Sequence, residues 1–192
     1  MPAPNPAALD FLLTRRSHPA RTLRPPVPDA AQLHVILTAA ARVPDHGKLE
    51  PWRFVVFERA ALVRIAGEVA MHGAALALDP ERIAKAVAQY ADSHLAVLVV
   101  AVPRPTDKVP AIEQTLSAGA VCLALLNAAL ASGFGANWLT GWPLHDAPLL
   151  ADSFGLAPGE WAAGIVHLGT ATETPPDRPR PDLDRIVTRV SA

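Results

Sequence analysis

From Gly119 to Ala131 the chain is apolar nearly all round a helix. A helix without a polar face cannot lie on the surface of a globular domain, so other elements must sheathe it. Pro110 to Ser132 is therefore expected to form the long central helix, and the rest of the 192 residues must supply the layers that cover it. A membrane span is the other home for such a helix, but a span needs about 18 uninterrupted apolar residues. Neither this run nor Leu95 to Val102 reaches that length.

The covering elements follow from periodicity and punctuation. Ala7 to Thr14 reads as a short helix with Leu9, Leu12 and Leu13 on one side, stopping at Arg15-Arg16-Ser17 ahead of Pro19. Asp29 with Gln32 three residues on makes a capping-box pair for a second helix, whose Leu33, Ile36, Leu37, Ala40 and Ala41 keep helical spacing until Pro44. Trp52 to Phe57 is a strand candidate. Ala60 to Leu78 is expected to be helical, and Asp79-Pro80 restarts a helix that runs to about Tyr90, with proline at its first position. Leu95 to Val102 reads as a strand covered on both faces, Ala136 to Thr140 as a short strand, and Trp161 to Leu168 as a further covered strand ended by Gly169. A small helix from Ala147 to Phe154 separates the last two. The fold class is α+β, a sheet wrapped by helices, with one domain over residues 1–173 and a proline-rich C-terminal arm over 174–192. That arm ends in Leu183, Ile186, Val187 and Val190, and an apolar tip on a stiff segment needs a dock, for which a second subunit is one candidate.

Charge and cysteine narrow the function. Seventeen basic against 18 acidic side chains leave a net charge of −1, without the basic excess that neutralises phosphates along a duplex, so nucleic acid is disfavoured as a partner. Half the chain is hydrophobic (51%) and only 18% charged, which excludes disorder for most of it. The single cysteine, Cys122, forms neither an intrachain disulfide nor a zinc cluster, and Met1 to Pro6 has no secretory pattern; both point to the cytoplasm.

Three segments concentrate chemistry. Arg15-Arg16-Ser17 can hold a phosphate or carboxylate by charge-assisted hydrogen bonds, although arginines ending a helix also complement its dipole. Arg42 to Trp52 is a helix end, a tight loop and a strand start, in which His46 can donate to a ligand or act as an acid. Asp45 either orients His46 or builds an Asx turn. Gly133 to Trp142 carries glycines and tryptophans around which a flat ring can approach the backbone, although the glycines can equally close the long helix. Metal is discounted, because His94, His145 and His167 are scattered and no H-x-x-x-H occurs. Glu113 and Gln114 sit where a helix dipole favours a carboxylate. Ser117, Gly119 and Cys122 read as helix-packing residues rather than a catalytic set.

Together these segments are similar to the nitroreductase family of flavin enzymes, and most of all to its short single-domain branch. The likeness rests on Arg15-Arg16-Ser17 after a short helix, on Arg42-x-Pro44-Asp45-His46-x-x-x-x-Pro51-Trp52 before the first strand, and on Ser117-Ala118-Gly119 in the core helix. Gly133-Phe134-Gly135-x-x-Trp138 and Leu168-Gly169-Thr170 continue the series in order, so that residues 7 to 172 are covered. Asp45, His46 and Glu50 depart from the Ser, Asn and Gln common at those places in the wider family.

The resemblance implies a nitroreductase-like central sheet, mixed or antiparallel, in an intertwined homodimer with FMN at the subunit interface. Arg15, Arg16 and Ser17 match the family's phosphate- and ring-edge-binding segment, and Arg42 and His46 match its second FMN-contacting loop, which can come from the other subunit. Trp138, Leu139 and Thr140 fall where the family closes over the flavin. Ala128, Ala129, Leu130, Ala131, Ser132 and Gly133 match a stretch ascribed to the nicotinamide donor, and Arg180 stands for the tail arginine that reaches the phosphate. The activity implied is NAD(P)H-dependent reduction of a nitroaromatic, quinone or similar small acceptor by a ping-pong cycle. A flavoprotein with different redox chemistry and a scaffold or ligand-binding protein that has lost flavin remain as alternatives.

Overall fold

The computed structural model describes residues 3–191. Met1, Pro2 and Ala192 lie outside the described residues, and with them the outermost positions of segments 1–173 and 174–192 and the start of the Met1 to Pro6 stretch. In chain order come α1 (Pro6–Thr14), β1 (Leu23–Arg24), α2 (Ala30–Ala40), β2 (Trp52–Glu58), α3 (Arg59–Ala75) and α4 (Pro80–Ala91). There follow β3 (Leu95–Ala101), α5 (Ala111–Ala131), β4 (Gly135–Leu139), α6 (Ala147–Asp152), β5 (Trp161–Ala171) and α7 (Leu183–Ile186).

Helix starts obey local chemistry. The Asp29 carboxylate accepts from Gln32 N at 2.8 Å and the Gln32 amide oxygen accepts from Asp29 N at 3.0 Å, the reciprocal pair that caps α2. Asp79 accepts from Glu81 N and Arg82 N ahead of α4, with Pro80 at the first turn. Helix α3 stops three residues short of the expected Leu78, because Ala77 turns to a positive φ of 51° and Leu78 N closes onto Gly73 O. Helix α6 likewise ends at Asp152 rather than Phe154.

The sheet is antiparallel at every pairing. β5 is its hub: β3 and β4 pair along it, the two-residue β1 pairs with its last residues, Thr170 and Ala171, and β2 closes the far side beyond β3. Alternation along β3 feeds two cores. Ala96, Leu98 and Val100 point to α3, α4 and α6, where Leu62, Ile65, Tyr90, Leu149 and Phe154 gather; Val97 and Val99 point to α2 and α5, against Ile36, Val121, Cys122 and Leu125. Strand β5 does not stop at Gly169. It runs on to Ala171 because β1 pairs with Thr170 and Ala171, and a Cβ on Gly169 would stand 3.0 Å from Arg24 O. The glycine marks a close approach of two strands where the sequence suggested an end.

The long helix departs from expectation in one respect. Among the described residues α5 is the one helix with the length and hydropathy of a membrane span, yet Ala118, Val121, Cys122, Leu125 and Ala129 are packed as in a protein core. Its opposite face is open: Ile112, Leu116 and Leu123 are 61, 65 and 44% exposed. One sheet and α2 cover one side of a cylinder, and among the described residues nothing covers the other. Leu9, Leu12 and Leu13 of α1 and Leu183, Ile186, Val187 and Val190 of the tail are exposed as well.

Among the described residues the most deeply buried polar side chain is that of His167, with no exposed surface. His167 on β5 shares a hydrogen bond of 2.8 Å between Nδ1 and Ser93 Oγ, faces the edge of Tyr90 at 5.9 Å, and leaves Nε2 without a partner. Burial pushes its pKa down to about 4. The unfolded chain protonates this imidazole below about pH 6.5 and the folded chain does not until about pH 4, so stability is complete above that window and falls through it. Urea unfolding of the wild type should lose roughly 3 kcal/mol between pH 6.5 and 4 relative to His167→Gln, which cannot titrate. Equal pH slopes for the two proteins would contradict the assignment.

Candidate functional site

The site is organised by the outer edge of β4, which pairs with β5 on one side only. Helix α1 cannot continue past His18, since Pro19 disfavours helical backbone in the residue before it. The chain therefore leaves α1 extended, and His18 N donates to Ala136 O at 2.9 Å while the Asn137 side-chain amide donates to His18 O at 2.8 Å. Those two bonds lay residues 15–18 along β4. Burial and the neighbouring Arg16 charge hold the His18 pKa below its ordinary value, which keeps this imidazole neutral at the edge of the site.

Beside this seam lies a cavity of about 540 Å³, lined by Arg15, Arg16, Ser17, Asn137 and Trp138 from the domain and by Pro175, Arg178 and Arg180 from the tail. Four guanidinium groups thus face one space. Asp177 offers them a single carboxylate, its Oδ1 lying 3.2 Å from both Arg16 and Arg180, and Arg16 also donates to Pro176 O. Arg15 Nε is buried without any partner, and so is Trp138 Nε1. A buried donor left unsatisfied among four cations that share one carboxylate fits an anionic ligand. Trp138 is held there by a gap in β5: a Cβ on Gly164 would overlap the indole, 2.6 Å from its Cδ1.

On β4's other face Leu139 joins Pro19, Ala20, Arg21, Lys85, Ala88, Gln89 and Asn137 around a second cavity of about 400 Å³, which meets the first at Pro19 and Asn137. Thr140 stands exposed just past the strand, its carbonyl accepting from His145 Nε2 at 3.1 Å.

Arg42 and His46 lie elsewhere. Arg42 is exposed after α2, and His46 lines a separate cavity of about 290 Å³ with Pro44, Glu113, Leu116, Ser117 and Ala120. Asp45 does not orient His46. Its carboxylate accepts from Leu49 N at 3.2 Å and Glu50 N at 2.8 Å, four and five residues on, a wider loop clamp than the Asx turn that the sequence offered as the alternative. The group that meets His46 is Glu113, with 2.6 Å between Nδ1 and Oε2. Ala128 to Gly133 form the end of α5: Ala129 is fully buried, Ser132 Oγ donates to Ala128 O, and Gly133 takes a φ of 85°. Of that stretch only Ala131, Ser132 and Gly133 are exposed.

The structure thus gathers Arg15, Arg16, Ser17, Trp138 and Arg180, with Leu139 next door, and keeps Arg42 and His46 apart. Sequence reasoning passed over Asn137, Arg178 and Lys85, and it left Glu113 as a helix-dipole carboxylate. Arg178 had a signal, two residues ahead of Arg180; the others had none. Among the described residues no cluster of His, Cys, Asp and Glu is arranged to hold a metal. Burial pushes the Cys122 thiol up to about 12, so it stays protonated and is no nucleophile. What the arrangement offers is anion binding beside aromatic and amide surface.

The profile of the nitroreductase family matches residues 12–170. The chain belongs to the nitroreductase family. It is 36% identical over 163 residues to a protein of Escherichia coli (strain K12) named "Putative NAD(P)H nitroreductase YdjA", covering 85% of this chain and 87% of that one. In fold it resembles the nitroreductase-like family protein from Bacillus cereus, with a TM-score of 0.80 over 100% of both chains at 19% identity. It also resembles a nitroreductase with bound FMN from Bacteroides fragilis, with a TM-score of 0.75, 20% identity and 98 and 100% of the two chains covered.

Two outcomes follow for this nitroreductase-family site. Gly164→Ala should push the Trp138 indole off β5, costing about 1–3 kcal/mol in urea unfolding and red-shifting tryptophan emission. Asp177→Asn removes the one carboxylate among four arginines, so calorimetric titration with inorganic phosphate should show severalfold tighter binding at low salt and a smaller gain at high salt. Unchanged or weaker phosphate binding would place the anion elsewhere.

Proposed function

We propose that this chain is an FMN-dependent oxidoreductase that takes reducing equivalents from NAD(P)H and delivers them to a nitroaromatic, quinone or similar small acceptor. The observation that carries the reading is the four-arginine cavity along β4 with the buried, unpartnered Arg15 Nε. FMN brings a doubly charged phosphate and a flat ring with a polar edge, and when bound it supplies the redox chemistry by accepting a hydride from the donor and yielding it to the acceptor. The protein's part is to bind, orient and exclude.

Arg15, Arg16 and Ser17 would hold the phosphate, with Arg180 meeting it from the tail. Trp138, Leu139 and Thr140, on the two faces and at the end of β4, would supply packing surface for the ring. Arg42 and His46 supply the remaining contacts from a second copy of the chain, in a homodimer with the cofactor at the subunit interface. The open apolar faces of α1 and α5 support that assembly, as does the exposed tip of the 174–192 arm, which packs on the partner subunit in this reading. Ala131, Ser132 and Gly133, the exposed part of the Ala128 to Gly133 stretch, contact the nicotinamide donor. Donor and acceptor occupy one place in turn, which gives ping-pong kinetics. The protein works in the cytoplasm, where its one unpaired cysteine stays reduced.

The test is the visible spectrum of the purified protein before and after anaerobic NAD(P)H. Flavin bands that bleach on adding the donor and return with a nitroarene or quinone, with parallel double-reciprocal lines in steady state, would establish the activity. Arg15→Ala should cost about 2 kcal/mol of FMN binding, roughly thirtyfold, with the thermal midpoint of the flavin-free protein not lowered, because the substitution removes an unpaired buried donor and one of four clustered cations. A colourless protein that takes up no added FMN would favour a scaffold that has lost its cofactor.

A further inference from the structure

We infer that Glu113 is a positioning residue for the cofactor: its carboxylate fixes the His46 imidazole so that Nε2 is the atom presented to bound FMN. The inference rests on the FMN reading above and on the geometry of one small cluster. His46 Nδ1 lies 2.6 Å from Glu113 Oε2. An ionised carboxylate only accepts hydrogen bonds, so Nδ1 carries the hydrogen, and the ring's one other polar atom, Nε2, is left to meet a ligand.

The backbone under His46 is pinned from two sides. Ser117 Oγ donates to Pro44 O at 2.8 Å, and the Asp45 carboxylate holds Leu49 N and Glu50 N. Glu113, Ser117 and Ala120 follow one another at helical spacing on α5, so a single helix face fixes the loop by its serine and the ring by its glutamate. Fixing the backbone alone would leave the imidazole free to rotate about its side-chain bonds; the Glu113 contact removes that freedom. Both side chains are open to solvent, 59 and 43% exposed, and an exposed pair of this kind adds little stability, so orientation is what the contact provides. Position 113 suits the task because a carboxylate in the first turn of a helix is held by the dipole. Asp45, the sequence neighbour that could have done the same, is already committed to its own loop.

The experiment is a double-mutant cycle on purified flavin-loaded protein, following release of FMN on dilution by recovery of flavin fluorescence. Glu113→Ala should weaken FMN retention by roughly fivefold, and should add nothing further in a His46→Ala background. Glu113→Gln should retain most of the wild-type affinity, because its amide oxygen still accepts from Nδ1. A purely structural glutamate would instead lower the thermal midpoint and weaken FMN equally in both backgrounds. The inference is overturned if the Glu113→Ala effect persists undiminished beside His46→Ala, or if Glu113→Ala changes nothing in a protein that holds FMN. A wild type that holds no FMN fails at the earlier step, and the cofactor reading falls first.

Discussion

Everything in this fold hangs on β5. It is paired along both edges and buried on both faces, so its side chains are constrained from four directions at once. Large residues fill the cores at Ile165, Val166, His167 and Leu168, whereas Ala162, Ala163, Gly164 and Gly169 keep the strand narrow on either side of them. The gaps are used. Gly169 lets β1 come close enough to pair, and β1 follows the residues 15–18 that reach the site. Gly164 seats the Trp138 indole, and β4 in turn presents its free edge to the arginines. The position of the candidate site is thus a consequence of small residues in a strand that itself lines no part of the arginine cavity.

The second constraint is an imbalance between α5 and what surrounds it. A helix apolar nearly all round demands cover on every side, and the chain provides a sheet and α2 on one. The same imbalance recurs at α1, where no residue is buried although three leucines line one side, and in the tail. Exposed apolar area of this extent is costly in water. It is also spatially linked to chemistry, because His46, Glu113 and Leu116 line one cavity on the open side of α5 while the arginines line another beside β4. A second copy of the chain that covered the open face would complete the packing and bring a second set of polar groups to it in one step.

How much of this was legible beforehand depended on whether the determining physics was local. Capping chemistry is local, so Asp29 with Gln32 and Asp79 with Pro80 placed two helix starts correctly. Buried strands with continuous apolar runs were equally plain. Strand β1 was not, since two residues, Leu23 and Arg24, have no periodicity and exist as a strand only because β5 runs past Gly169. The helix ends at Ala75 and Asp152 were missed because they are set by backbone turns rather than by side-chain pattern. In the site, Arg15, Arg16, Ser17 and Trp138 were readable from motif residues close together in sequence. The Glu113–His46 contact joins groups 67 positions apart, Asn137 matters through its bond to the distant His18 carbonyl, and Lys85 through the cavity it lines, so none of them left a mark on the linear chain.

The four-arginine cavity is finally an electrostatic problem as well as a site. Like charges gathered in a partly enclosed space repel, and their repulsion is less screened there than on an open surface. Asp177 answers it only in part, with one exposed carboxylate shared between Arg16 and Arg180, while Arg15 keeps a buried donor unsatisfied. Native structures seldom leave such a debt in place without a use, because an unpaired buried donor and clustered cations both work against folding. A doubly charged ligand resolves both at once, so its binding energy is added to the stability of the fold by mass action. The tail gains most from that exchange. Its contacts with the domain at this point are those of Arg16 with Pro176 and Asp177, and an anion held jointly by Arg15 and Arg180 would tie residues 174–192 to β4 far more firmly than one exposed carboxylate can.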